Sequence, residues 1–261
     1  MKRILLILAM ALGLSSCGIL NFDQNRLMQS GAKLAQALSI TDNDIKGYVS
    51  QSVAQLDAQN KVVTSGSYVT RLNRIVKGIN SVNGTPLKFK VYQTNEVNAF
   101  ACADGNVRVY TGLMDVMDDN EVLGVIGHEI GHVALQHSLN AYKEALYASA
   151  ALDAIASTGS AAAALSDSVL GQLAQSMISA KFSRKQETQA DDYGYDFMKA
   201  QGKNPYYMAS AFEQLLRTSG SGTQTQVSSI QKLFSSHPDT ASRIERVNKK
   251  AAKDGYTKPV K

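Results

Sequence analysis

The chain has 261 residues, 44% of them hydrophobic and 19% charged, which is apolar material for one good core, or at most two, and not the composition of a disordered tail, a collagen or a coiled coil. Its formal net charge is +5, and setting apart the first sixteen residues leaves 25 basic against 22 acidic side chains, too small an excess to argue for nucleic acid as a partner. Two cysteines, Cys17 and Cys102, cannot build a multi-disulfide framework or a zinc ribbon.

In chain order, Met1-Lys2-Arg3 and the apolar run Ile4 to Leu14 form a positive n-region and an h-region too short to span a bilayer, so residues 1–16 are expected to be a signal peptide. Leu14-Ser15-Ser16-Cys17 resembles the lipobox of bacterial lipoproteins, in which the cysteine becomes the lipidated first residue. Residues 17–40, polar and small, then read as a tether from a membrane to a domain spanning 41–261. Gly18 in place of the Asp that favours inner-membrane retention implies a bacterial envelope lipoprotein on the outer membrane, facing the periplasm. Lipidation of Cys17 leaves Cys102 unpaired in the small apolar run Ala99 to Ala103, where a buried small hydrophobe is expected.

From Thr41 to Gly78 the pattern is helical, with stripes at Ile45, Val49, Val53 and Leu56 and at Leu72, Ile75, Val76 and Ile79. The period then changes: Leu87, Phe89 and Val91 alternate with polar neighbours, and Asp104-Gly105 separates Asn98–Ala103 from Val107–Thr111 as a hairpin turn would. Everything after Leu113 reads as helix and loop, which predicts a helix-dominated α+β fold with a small sheet of three or four strands. The alanine-rich stretch Ala145 to Leu165 is interrupted by Asp153 and Gly159 and reads as a helical pair or a flap. Arg217 to Val227, almost all Ser, Gly, Thr and Gln, reads as a mobile loop. The basic tail with Lys249, Lys250, Lys253, Lys258 and Lys261 reads as a solvated helix end.

The chemistry concentrates in His128-Glu129-Ile130-Gly131-His132, an H-E-x-x-H motif. Asp118 to Glu121 has the composition of a helix start, and Val122, Ile126, Ile130 and Val133 follow at helical spacing. On that helix His128 and His132 lie one above the other, so both imidazoles reach one Zn²⁺ while Glu129 stands beside it. Gly124, Gly127 and Gly131 each cost a helix interior up to about 1 kcal/mol, which implies close approach of another backbone or of a substrate. A third ligand at metzincin spacing is missing, since those positions hold Leu135 and Ser138. Glu187 on a later helix, behind a Ser183-x-x-Gln186 capping box, offers one, and Asp191, four residues on, would accept the second ring N–H of a ligating histidine. His137 reads as a satisfied structural histidine.

With Val97-Asn98-Ala99-Phe100, Gly105, the Glu187-to-Asp191 element and Ser236-His237-Pro238-Asp239, the chain from about Thr41 onward resembles the gluzincin metallopeptidases that include HtpX and the CAAX prenyl endopeptidases, specifically their soluble bacterial lipoprotein members. That resemblance implies a zincin-like domain with one zinc per chain held by His128, His132 and Glu187. It makes Glu129 the catalytic acid/base and places His237 near the metal, either as an oxyanion donor or as a gate over the open metal position. The membrane spans of the integral members are missing from the sequence, which argues against a prenylated substrate. An extended peptide is expected to add to the sheet edge at Asn98, Ala99 and Phe100. Location and family together imply unfolded or misassembled envelope proteins as substrates, with an envelope assembly factor or protease as a partner. The competing reading is an envelope chaperone with a structural zinc. Glu129, which zinc binding does not require, favours the enzyme.

Overall fold

The computed structural model describes residues 40–148 and 167–260. The expected signal peptide, Cys17, nearly all of the tether and most of the alanine-rich segment lie outside them.

Helix α1 (Asp42–Gln59) starts at a Thr41/Asp44 capping box and buries Ile45, Val49, Val53 and Leu56, the stripe its sequence predicts. Ile40, assigned to the tether, is already buried. A short strand β1 (Val62–Val63) leads to α2 (Ser67–Ile75), and a ribbon of β2 (Ser81–Val82) and β3 (Thr85–Pro86) turns at Asn83-Gly84, both at positive φ. Strands β4 (Lys88–Tyr92), β5 (Ala99–Ala101) and β6 (Asn106–Tyr110) complete a four-stranded sheet in the order β1-β4-β6-β5, with β4 and β6 parallel and the other pairs antiparallel. Gly105, at φ 84°, is required in the β5–β6 turn, because a Cβ there would collide with the Pro86 carbonyl. The hairpin was legible; β1 and the β2–β3 ribbon, two residues to a strand, were not.

The remaining elements are helices: α3 (Thr111–Val116), α4 (Asp119–Ala134), α5 (His137–Ala148), α6 (Asp167–Ile178), α7 (Arg184–Ala200), α8 (Tyr206–Ser221), α9 (Gln224–Ser236) and α10 (Thr240–Lys253). The expected mobile loop at Arg217–Val227 is corrected. Helix α8 runs through the Ser/Gly stretch to Ser221, and a Thr223/Gln226 capping box starts α9 after a break at Gly222. Thr218 is buried in α8, so tertiary packing overrides the weak helix propensity of this stretch.

Both faces of the sheet are covered, and strand alternation divides the core in two. Val91, Ala99, Ala101, Val107 and Val109 join the cluster with α2, α4, α7, α8 and α10, while Tyr92, Phe100, Cys102 and Tyr110 join the one with α1, α5 and α6. Cys102 is 2% exposed, and burial pushes its thiol well up from its ordinary value, as befits a small hydrophobe. Helix α4 belongs to the first cluster and packs along α7. A Cβ on Gly131 would stand 2.9 Å from the Ala190 carbonyl oxygen, and one on Gly194 of α7 would stand 3.0 Å from the His128 nitrogen. The glycines thus let two backbones approach where the site is built. In the basic tail, Lys249, Lys250 and Lys258 pair with Glu245, Asp192 and Glu213.

Candidate active site

Helix α4 starts at an Asp118/Glu121 capping box, and ten residues further on presents His128, Glu129 and His132, all buried. Helix α7 starts at the Ser183/Gln186 capping box and delivers Glu187 in its first turn and Asp191 one turn later, both with no exposed surface. The junction between α9 and α10 contributes His237. The side-chain donors of His128, His132, Glu187 and His237 lie within 4.8 Å of one another. His128 Nε2 is 3.2 Å from His132 Nε2 and 3.5 Å from Glu187 Oε2, and His132 Nε2 is 3.3 Å from Glu187 Oε1. His237 Nδ1 closes the set at 3.3 Å from His128 Nε2 and 3.0 Å from Glu187 Oε1.

These residues fit a zinc ion. Four donors arranged tetrahedrally at zinc–nitrogen and zinc–oxygen bond lengths stand about 3.3 to 3.6 Å apart, close to the spacings observed. The donor chemistry agrees. Burial depresses the His132 pKa far below its ordinary value, so its imidazole is a neutral ligand. Burial would raise the Glu187 carboxyl, but hydrogen bonds from His132 and His237 outweigh it and hold the group well below the carboxylate range.

Around this set sits a second layer. Asp191 Oδ1 is 3.0 Å from His128 Nδ1, the position a tautomer-fixing carboxylate takes. His137 Nδ1 is 3.1 Å from His132 Nδ1, so His137 stands behind a metal-facing histidine and outside the donor set. Phe182 stacks on His132 with ring centroids 3.8 Å apart. Arg243 of α10 carries the counter-charge: its fork binds both Asp191 oxygens at 2.7 and 2.8 Å, a third nitrogen contacts Glu187 Oε2, and its cation lies 4.6 Å over the Phe212 ring. The sequence reading missed Arg243 and both phenylalanines. A signal for Arg243 was present, because it occupies the inward stripe Arg243, Val247 and Ala251 of α10, where a lone charge implies a buried partner.

Glu129 lies beside the donor set. Burial raises its carboxyl pKa, opposed by the nearby His237 and His128 and by the Ala101 backbone N–H. His237 Nε2 is 3.9 Å from Glu129 Oε1. For His237, burial pushes the imidazole pKa down and the hydrogen bond to Glu187 together with Glu129 raises it above its ordinary value.

Glu129 and His237 line a cleft of about 560 Å³ together with Asn98 to Ala103 and with Tyr142, Phe182 and Lys232 among others. Strand β5 is an edge strand. Asn98 and Cys102 pair with β6 through Tyr110 and Asn106, so the backbone of the alternate residues Ala99 and Ala101 faces outward. The ring of Phe100, named with Asn98 and Ala99 for substrate contact, packs edge-on against Tyr92 and Tyr110 in the second core and only borders the cleft.

Comparison with known proteins agrees with this geometry. The sequence pattern of peptidase family M48 matches residues 66–251. Metalloprotease YcaL of Escherichia coli K12 is 41% identical over 258 residues, covering 97% of this chain and 99% of that protein. Metalloprotease LoiP of the same organism is 39% identical, covering 98% and 99%. The E. coli K12 beta-barrel assembly-enhancing protease is 32% identical over 160 residues, 57% of this chain and 32% of that larger protein. The chain belongs to peptidase family M48 and is a metalloprotease with an intact His128, His132 and Glu187 metal-binding cluster.

Proposed function

We propose that this metalloprotease is a zinc-dependent endopeptidase of the bacterial envelope, one zinc per chain, lipid-anchored through Cys17 to the outer membrane, which hydrolyses unfolded or misassembled envelope proteins. The observation that carries the catalytic part is the position of Glu129, buried, next to the donor set and not a member of it. A bound zinc supplies Lewis-acid polarisation of the scissile carbonyl and acidifies water towards a pKa of about 7. Glu129 takes a proton from the attacking water and delivers it to the leaving amine, a double duty suited to a carboxyl whose pKa is raised by burial. The Ala101 amide orients Glu129, and the outward backbone of Ala99 aligns an extended substrate segment. Support for the envelope comes from the leader and Leu14-Ser15-Ser16-Cys17, and from a relative named for β-barrel assembly. Among the described residues no helix is long and apolar enough to cross a membrane.

His237 favours a gated form of this reading. Its Nδ1 stands at the fourth corner of the donor set, the place that water and substrate need. The chaperone alternative would use the same closed site without turnover.

Elemental analysis and casein cleavage by the detergent-extracted full chain test the proposal. One zinc per chain in wild type and Glu129→Gln, with cleavage by wild type alone, is the expected result. Cleavage by Glu129→Gln at the wild-type rate would overturn the role of Glu129. His237→Ala is expected to keep its zinc and to cleave faster, whereas slower cleavage would make His237 a transition-state donor in place of a gate.

A further inference from the structure

The two metal-facing imidazoles are held from behind by groups of different kinds. His128 Nδ1 faces the anionic Asp191, whereas His132 Nδ1 faces the neutral-ring partner His137 at 3.1 Å. Two ring nitrogens at that separation share one proton, so one donates and the other presents a lone pair. Nε2 of His132 points into the donor set, 3.2 Å from His128 Nε2 and 3.3 Å from Glu187 Oε1, and a metal there requires the lone pair on Nε2 and the proton on Nδ1. His137 is then the acceptor at its own Nδ1 and carries its proton on Nε2, and the side chain of Gln189 is a further hydrogen-bond partner of its ring.

We propose that His137 is a positioning residue for the metal: the hydrogen bond from His132 Nδ1–H to His137 Nδ1, with the Gln189 side chain as a further partner of the His137 ring, fixes the tautomer and the aim of His132. The fold holds this pair in place. Gln136 takes a left-handed φ of 62°, which breaks the helix between α4 and α5 just before His137, whose Nδ1 then meets that of His132. The next residue, Ser138, donates to the Ala101 carbonyl at 3.1 Å and ties the start of α5 to the edge strand. Phe182 covers one face of the His132 ring, leaving the hydrogen bond to set the remaining rotation. Gln189 lies two residues past Glu187 on α7, so one helix supplies both a ligand and a partner of the His137 ring.

The inference rests on the zinc reading and is tested apart from it, by zinc affinity and by spectroscopy with no substrate present. In competition with a chromogenic chelator, full-length His137→Phe is expected to bind zinc about 10- to 100-fold more weakly than wild type, with altered d–d absorption of its cobalt form. His137→Gln, whose side-chain oxygen restores an acceptor, is expected to recover most of that affinity. In wild type with ¹⁵N-labelled histidine and zinc bound, a ¹⁵N–¹⁵N coupling across the Nδ1–H to Nδ1 hydrogen bond is expected, and this measurement decides even if His137→Phe does not fold. Wild-type affinity and cobalt spectrum in a folded His137→Phe, or a zinc-loaded wild type whose two Nδ1 atoms show no coupling, would overturn the proposal. A wild type that binds no zinc would instead sink the metal reading beneath it.

Discussion

Arg243 is the buried guanidinium set against both Glu187 and Asp191 in the layer behind the metal, with the half-buried Arg246 3.6 Å from Asp191 Oδ2. With its side chain only 5% exposed, deleting it leaves the buried Glu187 without its guanidinium partner and Asp191 with Arg246, at 3.6 Å, as its remaining arginine contact. Arg243→Leu is expected to lower the unfolding free energy of the metal-free protein by about 3 to 5 kcal/mol at neutral pH, read from urea titrations. Arg243→Lys is expected to recover little of it, because an ammonium cannot bind both Asp191 oxygens and reach Glu187 as the fork does. The sign with pH follows from Asp191, for which burial raises the carboxyl but the Arg243 and His128 hydrogen bonds outweigh it, holding the pKa below its ordinary 3.8. Its stabilising contribution is complete above that ordinary value and fades as acid protonates the folded form, so the deficit of Arg243→Leu is expected to shrink at low pH. A deficit that stays constant into acid would show that the loss is packing over Phe212 and not charge. At this scale the sequence showed His128, Glu129 and His132 at once, because helical spacing alone makes neighbours of them. The approach of Arg243 and Phe182 was hidden, because α10 and the start of α7 have to fold against α4 first.

Between elements, the critical contact is the crossing of α4 and α7, and glycine decides how near they come. Gly131 faces the Ala190 backbone, where a Cβ cannot be relieved by turning a side chain. Gly131→Ala is expected to destabilise by about 1 to 3 kcal/mol even though alanine is the better helix former. Gly47 in α1 is the control: exposed, with nothing within 4 Å of a Cβ, so Gly47→Ala is expected to stabilise by about 0.5 to 1 kcal/mol. Urea midpoints measured side by side check both, and a stabilising Gly131→Ala would mean that the helices have room to part. The costly helix glycines pointed to a close crossing from sequence alone. Composition misled in the Ser/Gly stretch after Arg217, because burial of Thr218 and the Thr223 cap outweigh poor propensity there. The β1 strand was illegible for a different reason: two residues cannot establish a period.

For the whole molecule, the proposed lipid anchor makes a direct prediction. Wild type grown with labelled palmitate is expected to carry label and sediment with membranes, while Cys17→Ser is expected to lose the label and leave the membrane fraction. Label retained by Cys17→Ser would place the acyl chain elsewhere and remove the argument for a tether at residues 17–40. The α+β class was legible, but the two-sided core, with Val107 and Val109 facing one cluster and Tyr110 the other, emerges only once helices cover both faces of the sheet. The order β1-β4-β6-β5, with its parallel central pair, was not legible either, because crossover connections leave no local mark.

The four donors are gathered from far along the chain: His132 and His128 are four residues apart, but His237 is 109 residues from His128 and 50 from Glu187. No short segment can hold the cation alone, so an unfolded chain has at best a weak two-histidine site. Metal loading therefore follows folding, once α7 has docked on α4 and brought Glu187 to the two histidines. Until then the newly made chain has no means of cutting itself or its neighbours.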